Sequence, residues 1–269
     1  MKPVISIVTV CYNAFLEIEK TILSVINQSY SNIEYIVIDG GSKDGTLEII
    51  NKYSKNITLL VSEPDNGIYD AMNKSIKLAT GEWINFMNAG DIYHEKNTIE
   101  KLFANPIPKD KIIVYGDSCL LLENKQYFVP AIPLNDSMLH IPFCHQLAFL
   151  KVNYIKEHPF NLKYRIASDY DMIYKIFKNN KNAFLNKPII VSNYNSDTGF
   201  SINNALMGIR EETIINYQHI TFKLKVRYSL IYFKAFLGSL LPLTVRENKR
   251  KKFIIKNFKL IKTNTYIII

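Results

Sequence analysis

Apolar and polar positions fall in alternating blocks along the first ninety residues. Val4-Ile5-Ser6-Ile7-Val8-Thr9-Val10 is a nearly continuous β-branched run, the pattern of a strand buried on both faces. Cys11-Tyr12-Asn13 ends it. Leu16, Ile22, Leu23, Val25 and Ile26 then predict a helix closing near Gln28. Residues 33–38 read as a second strand, which delivers Asp39 at its end. Gly40-Gly41 and Asp44-Gly45 turn the chain, and residues 46–53 read as a second helix. A third strand is expected over 57–61 and a third helix over 68–79. Residues 83–87 form a fourth strand, which breaks at Ala89-Gly90 and presents Asp91. Strand and helix alternate through short connections, which predicts an α/β fold with a mainly parallel central sheet flanked by helices. A carboxylate just past a buried strand lies where open α/β sheets bind ligands.

The pattern loosens after Asp91. Residues 97–103 read as helix, and 112–122 and 126–129 as strands that a hairpin would join. A further helix is expected to begin near Ser168, a favoured N-cap residue, and 184–192 return to strand. Neither an internal repeat nor a low-complexity segment is present. Residues 228–245 are mostly apolar but are interrupted by Lys234 and Pro242, and the basic run 246–252 follows at once. A spanning helix needs about 20 mostly apolar residues, and a lysine in mid-span is costly. An interfacial amphipathic segment beside a polybasic cluster is the expectation, resting on an anionic membrane surface. The alternative is a helix docked on the domain with a solvated basic end.

Composition sharpens this division. Of 269 residues, 48% are hydrophobic, which excludes a disordered chain. The net charge of +9 is unevenly placed: residues 220–269 hold 12 Lys/Arg and a single acid, Glu247, while the remainder is slightly acidic. The basic character therefore belongs to the tail, and no nucleic-acid partner is expected. We divide the chain into a domain over 1–215 and a C-terminal amphipathic, basic helical extension over 216–269. Cys11, Cys119 and Cys144 give neither paired spacing nor an even count, which argues against a disulfide framework or structural zinc. Met1-Lys2-Pro3-Val4 leads into the first strand without a signal-peptide pattern, so a cytoplasmic chain is expected.

Three segments carry the candidate chemistry: Asp39-Gly40-Gly41-Ser42-Lys43-Asp44-Gly45-Thr46, Asp65-Asn66-Gly67 with Ala71-Met72-Asn73, and Asn88-Ala89-Gly90-Asp91. The first lacks the spacing of a dinucleotide fingerprint. Farther on lie His145-Gln146 and Ser168-Asp169-Tyr170-Asp171. In this order the segments resemble the family 2 glycosyltransferases, enzymes of the GT-A fold that move a sugar from a nucleotide-diphosphate donor to an acceptor hydroxyl. The resemblance covers about residues 3–200.

The resemblance implies site roles. Thr9, Tyr12 and Asn13 would lie at the nucleotide, with Tyr12 against the base, although ordinary strand-end packing also explains Thr9 and Tyr12. Asp39 would accept a hydrogen bond from uracil; alone, it is also a common turn aspartate. Asp65, Asn66, Gly67 and Asn73 would line the donor site, with a surface position as the plainer role for Asn73. Asn88 and Asp91 occupy the family's metal motif, in which Asn88 and Gly90 stand where aspartates are usual. Asp91 would then hold Mn²⁺ or Mg²⁺ together with phosphate oxygens and water; a helix-capping aspartate is the alternative. Asp169 matches the catalytic base of the family's E-D-x-[DE] segment, with Ser168 in place of the glutamate and Lys175 where an arginine is frequent. An acid in a helix's first turn is the plainer reading. His145, Gln146 and Asp171 would serve acceptor or phosphates, or His145 would be a packed loop histidine.

Together these expectations describe an inverting, metal-dependent glycosyltransferase of hexosyltransferase type. Its donor would be a UDP-sugar and its acceptor a lipid-linked saccharide of a growing surface polysaccharide, met at the inner face of the membrane. A nucleotidyltransferase is the rival within enzymes, but residues 8–13 lack the glycine-rich basic loop it needs. The rival from another class is a non-catalytic, membrane-peripheral assembly protein that has lost metal binding through Asn88 and Gly90.

Overall fold

The computed structural model describes residues 2–123, 125–132, 134, 143–195, 204–217, 222–241 and 243–263. Strands β1 (Ile5–Cys11), β2 (Ile33–Asp39), β3 (Leu59–Ser62) and β4 (Trp83–Phe86) alternate with helices α1 (Ile18–Ile26), α2 (Thr46–Lys52) and α3 (Ile68–Leu78). All seven residues of β1 are buried, as its unbroken apolar run requires. β1 lies parallel between β2 and β4, and β3 flanks β2. After β3 the chain crosses to the far side of β1 to form β4. The strand order thus reverses beside β1, and a crevice opens at the carboxyl ends of β1, β2 and β4.

The second half extends the sheet beyond β4. β5 (Ile92–Tyr93) and α4 (Thr98–Leu102) lead to the antiparallel hairpin of β6 (Ile113–Leu122) and β7 (Lys125–Val129). A 3-10 turn at His145–Leu147 precedes β8 (Ala148–Lys151), which inserts antiparallel between β4 and β6. Helices α5 (Val152–Glu157) and α6 (Ser168–Asn179) follow, then β9 (Phe184–Asn195), which runs parallel to β6 and pairs antiparallel with β5. The sequence pattern does not mark β8 and α5, because four- and six-residue elements are too short to carry a period. Leu16 is 81% exposed and precedes α1, which begins at Ile18. Ser168 lies inside α6 and does not cap it.

The tail is helical over α7 (Ala205–Tyr217), α8 (Phe222–Ser239) and α9 (Leu243–Asn257), and then forms β10 (Lys259–Thr263). α7 belongs to the domain. Its Ile215 packs with Tyr164, Ala167, Tyr170 and Tyr174, and the buried Asn216 accepts a hydrogen bond from the Tyr170 hydroxyl at 2.8 Å. α9 docks through Ile254 on Leu120, Leu122 and Tyr127, with Lys251 paired to Glu123 at 2.6 Å. β10 then pairs antiparallel with β7 and covers a sheet edge. Among the described residues no helix is long and apolar enough to cross a membrane. Leu230, Phe233, Phe236 and Leu237 of α8, and Phe253 and Ile255 of α9, are exposed.

Candidate active site

The loops after β1 and β2 are stapled together. The Asn13 amide donates to Ser42 Oγ, the Lys43 amide to Asn13 Oδ1, the Ala14 amide to Thr46 Oγ1 and the Phe15 amide to Asp44. Tyr12, 65% exposed, projects from this platform. Gly40 sits so close to its neighbours that a Cβ there would meet Asp65 Oδ2 at 2.5 Å and the Tyr12 ring at 3.3 Å. Tyr12, Gly40 and Asp65 therefore form one wall of the crevice. Asp65 Oδ1 accepts from the Gly67 amide, and Asp70 accepts from the Asn66 amide, which shapes the turn into α3. Asp39, fully buried, accepts from the amides of Gly41 and Ser42 and from the hydroxyls of Ser42 and Ser62. It holds its own turn and ties it to the end of β3.

A second group gathers past β4. Thr21 of α1 accepts from the Gly90 amide and donates to the Asp91 carbonyl, and Gly90 takes φ +101°, a conformation natural to glycine. This fixes where Asp91 emerges. Opposite it, the buried Asn85 amide donates to the carbonyls of Gln146 and Ala148, and its Oδ1 accepts from Tyr93. One strand residue thereby sets the 3-10 turn against the Asn88–Asp91 loop. His145 Nδ1 faces Asp169 Oδ2 at 3.4 Å, and its Nε2 faces Asp91 Oδ2 at 3.9 Å. Asn88 Nδ2 lies 2.8 Å from His145 Nε2, and Gln146 Nε2 lies 3.4 Å from Asp91 Oδ1. Asp91 and Asp169 thus converge on either side of one imidazole. Burial pushes the Asp91 carboxyl up to about 6, with the charge of His145 pulling it back. Burial alone would lower the His145 pKa, but the Asp169 hydrogen bond and the charges of Asp169 and Asp91 outweigh it, and the pKa is raised.

Among the described residues no group of three or more His, Cys, Asp or Glu side chains is arranged to hold a metal ion. The donor set does fit a hard cation shared with a diphosphate. Asp91 offers a carboxylate, and Asn88 Oδ1 and Gln146 Oε1 are buried amide oxygens without a protein partner.

Three sequence expectations change. Thr9 is fully buried, and its hydroxyl donates to the Met87 carbonyl and lies 3.0 Å from the Tyr35 hydroxyl, so it joins β1 to its neighbours and does not face the crevice. Asn73 grips the backbone of Phe160 with both ends of its amide, at 2.9 Å each, and so holds the segment before α6 instead of the donor. The N-cap of α6 is Ala167, without a side-chain bond, and Ser168 Oγ is buried without a partner.

Two further residues reach the Asp169 neighbourhood without having been expected. The Tyr69 hydroxyl lies 2.9 Å from Asp169 Oδ1, which also accepts the Tyr170 amide. Glu211, on α7, accepts the amides of Arg165, Ile166 and Ala167 with its two carboxylate oxygens. These are the last residues before α6, so Glu211 sets where that helix starts. Glu211→Ala strands the buried Ala167 amide, at a cost of about 1–3 kcal/mol, and frees the less buried amides of Arg165 and Ile166. Its melting temperature should fall, and turnover should fall with donor affinity kept; Glu211→Gln should lose less. Calorimetry and single-turnover rates check this, and a normal melting temperature for Glu211→Ala would refute it.

The fold, a parallel β1–β4 half extended by antiparallel strands, is that of the GT-A class of glycosyltransferases. The family model described as glycosyl transferase family 2 matches residues 6–118. A PGL/p-HBAD biosynthesis glycosyltransferase of Mycobacterium bovis is 30% identical over 206 residues, covering 74% of this chain and 79% of that protein. The chain belongs to glycosyl transferase family 2. The putative teichuronic acid biosynthesis glycosyltransferase TuaG of Bacillus subtilis is 36% identical over 103 residues, covering 37% of this chain and 40% of TuaG. Two solved structures share the fold, each at 17% identity. S. aureus TarS 1–349 in complex with UDP superposes with a TM-score of 0.62 over 90% of this chain and 76% of TarS 1–349. The mannosyltransferase PcManGT from Pyrobaculum calidifontis, in complex with GDP-Man and Mn²⁺, superposes with a TM-score of 0.61 over 96% of this chain and 82% of its own.

Proposed function

We propose that this glycosyltransferase moves a sugar, with inversion, from a UDP-sugar to a hydroxyl of a lipid-linked, growing surface polysaccharide at the inner face of a membrane. The observation that carries the chemistry is the convergence of Asp91 and Asp169 on His145. In a direct displacement one positioned carboxylate serves as base. Asp169 Oδ2 carries no backbone bond among the described residues, so it is the oxygen that takes the acceptor's proton. Tyr69 and the Tyr170 amide hold Oδ1, and His145 orients Oδ2. Asp91, with the amide oxygens of Asn88 and Gln146, would hold a Mn²⁺ or Mg²⁺ ion, which would offset the charge of the departing diphosphate.

The base platform supports a uridine donor. Tyr12 offers an exposed ring, and Asp39 accepts from uracil once the Ser62 hydroxyl turns away. TarS, which was solved with UDP, shares the fold. Asp39→Ala should weaken UDP binding by about 1–3 kcal/mol, the scale of a charged hydrogen bond, while Ser62→Ala leaves it intact. Titration calorimetry measures both; tighter binding of GDP than of UDP would overturn the donor assignment. A thermal-shift panel of nucleotide sugars with Mn²⁺ then identifies the sugar, because a ligand bound by the native state raises its stability.

The acceptor and the location rest on the tail and on the relatives' names. Leu230, Phe233, Phe236 and Leu237 are exposed on α8, and Arg246, Lys249, Lys252 and Lys256 are exposed on α9. That combination supports an interfacial segment on anionic lipid. Similarity to proteins named for PGL/p-HBAD and teichuronic acid biosynthesis supports a surface glycan as product. A chain ending at Tyr217 keeps Glu211 and Asn216 and should still bind UDP, but should lose sedimentation with anionic vesicles. Salt should weaken the full-length interaction, since the attraction is screened. Equal sedimentation of both chains would place membrane contact elsewhere.

A further inference from the structure

A cavity of about 200 Å³ lies between α5, with the turn that follows it, and α6. Its walls include Tyr154, His158, Asn161, Ser168, Asp171 and Lys175. Ser168, Asp171 and Lys175 recur at helical spacing on one face of α6. Asp169 lies one residue round the first turn of the same helix, facing His145. The cavity and the proposed base therefore occupy adjoining faces of a single helix end.

The chemistry of the walls selects a neutral, hydroxyl-rich ligand. Ser168 is fully buried, and its hydroxyl has no partner in the protein, a state that buried polar groups rarely keep unless something else bonds to them. Asp171 is buried and pairs with Lys175 at 2.7 Å. The two charges offset each other, so the cavity has no excess positive charge to draw a diphosphate, while carboxylate and ammonium both remain hydrogen-bonding groups. Asn161 Oδ1 accepts from the Lys163 amide, and among the described residues its NH₂ has no acceptor, so it remains a donor. Tyr154 and His158 stack on each other at 4.4 Å with planes 15° apart, an aromatic pair on the cavity wall. The C–H face of a sugar ring packs against such a surface, because the aromatic face is electron-rich. A few placed polar groups around an apolar wall are the usual make-up of a small-molecule site.

We infer that the cavity between α5 and α6 is a subsite for one pyranose unit of the acceptor glycan. The inference rests on the glycosyl-transfer reading above and deepens it. The subsite would present the acceptor hydroxyl to Asp169 by gripping a sugar ring along α6, independently of the nucleotide platform at Tyr12 and Asp39.

Met172 also lines the cavity and supplies a local reporter. The full chain, labelled with ¹³C-methyl methionine, would be titrated without nucleotide against methyl glycosides of glucose, galactose, rhamnose and N-acetylglucosamine. The Met172 signal would be assigned with Met172→Leu. At least one glycoside should shift Met172 saturably, and Asn161→Ala or His158→Ala should weaken that binding by about tenfold, one hydrogen bond or ring contact in size. The signals of Met72 and Met87, buried in the core, report whether each variant is folded. If no glycoside moves Met172, or if both folded variants bind as tightly as the native chain, the subsite is refuted. Donor binding is measured separately by UDP calorimetry, so a protein that takes glycosides but no UDP-sugar would keep the subsite and lose the donor assignment.

Discussion

Asp169→Asn should lower transferase turnover by about 10²–10⁴, the usual worth of general-base assistance. Asparagine keeps the shape and the Tyr69 and Tyr170 contacts on Oδ1, and it removes the basic oxygen that faces His145. Donor affinity should barely change, because the lost interaction matters mainly in the transition state. Asp171→Asn should cost less, since its carboxylate is paired with Lys175 on a neighbouring face of α6. Rapid-quench turnover and UDP calorimetry on the same preparations separate the outcomes. A residue that merely favours the helix start would lower the melting temperature without a selective loss of turnover. Near-normal turnover for Asp169→Asn with an inactive Asp171→Asn would move the base two residues along the helix.

The parts of this arrangement that local pattern could reveal are those built from adjacent residues. The β-branched run of β1, the break at Ala89-Gly90 and the acid pair at the start of α6 each carry their meaning within a few positions, and each lies where the pattern put it. What could not be read locally depends on pairing across the chain. Asn85 looks like one more polar residue in a strand, yet it ties the His145 turn to β4 across about sixty residues. Asn73 had the right type and spacing for a donor-site residue, but the nearby Phe160 backbone takes both ends of its amide. Thr9 sits in a segment that approaches the crevice, but its side chain points into the sheet interior.

The tail shows the same limit. Its basic charge and exposed apolar positions were legible from composition, and α8 and α9 carry them. Glu211 gave no signal, since a lone acid in a helix has no local reason to bind three amides upstream. The docking of Ile254 and the pairing of β10 with β7 likewise depend on a surface formed far away in sequence. Neighbouring residues of α9 differ in environment: Ile254 and Lys251 meet the hairpin while Phe253 and Ile255 are exposed.

Asp91→Ala should lose about 10²–10³ in turnover, the scale for removing one group that stabilises charge developing in the transition state. The loop after β4 is poor in carboxylates. Asn88 and Gly90 stand where the family's motif usually has aspartates, so Asp91 is the one acid in the loop. Burial has already pushed its carboxyl up to about 6 against the pull of His145, which means the protein alone stabilises its charge poorly. Asn88 Oδ1 and Gln146 Oε1 add oxygen ligands but no charge. Such a set should bind Mn²⁺ weakly alone and well with UDP present, because the diphosphate completes the coordination and the charge. Calorimetry of Mn²⁺ with and without UDP should therefore show strong coupling in the native protein and little in Asp91→Ala. By linkage the same factor should appear when UDP is titrated with and without Mn²⁺. Asp91→Asn should fall between the two, since it keeps an oxygen beside Gln146 and loses the charge. Unchanged coupling in Asp91→Ala, or turnover indifferent to a chelator, would remove Asp91 from the cation site and leave its role as the partner of His145.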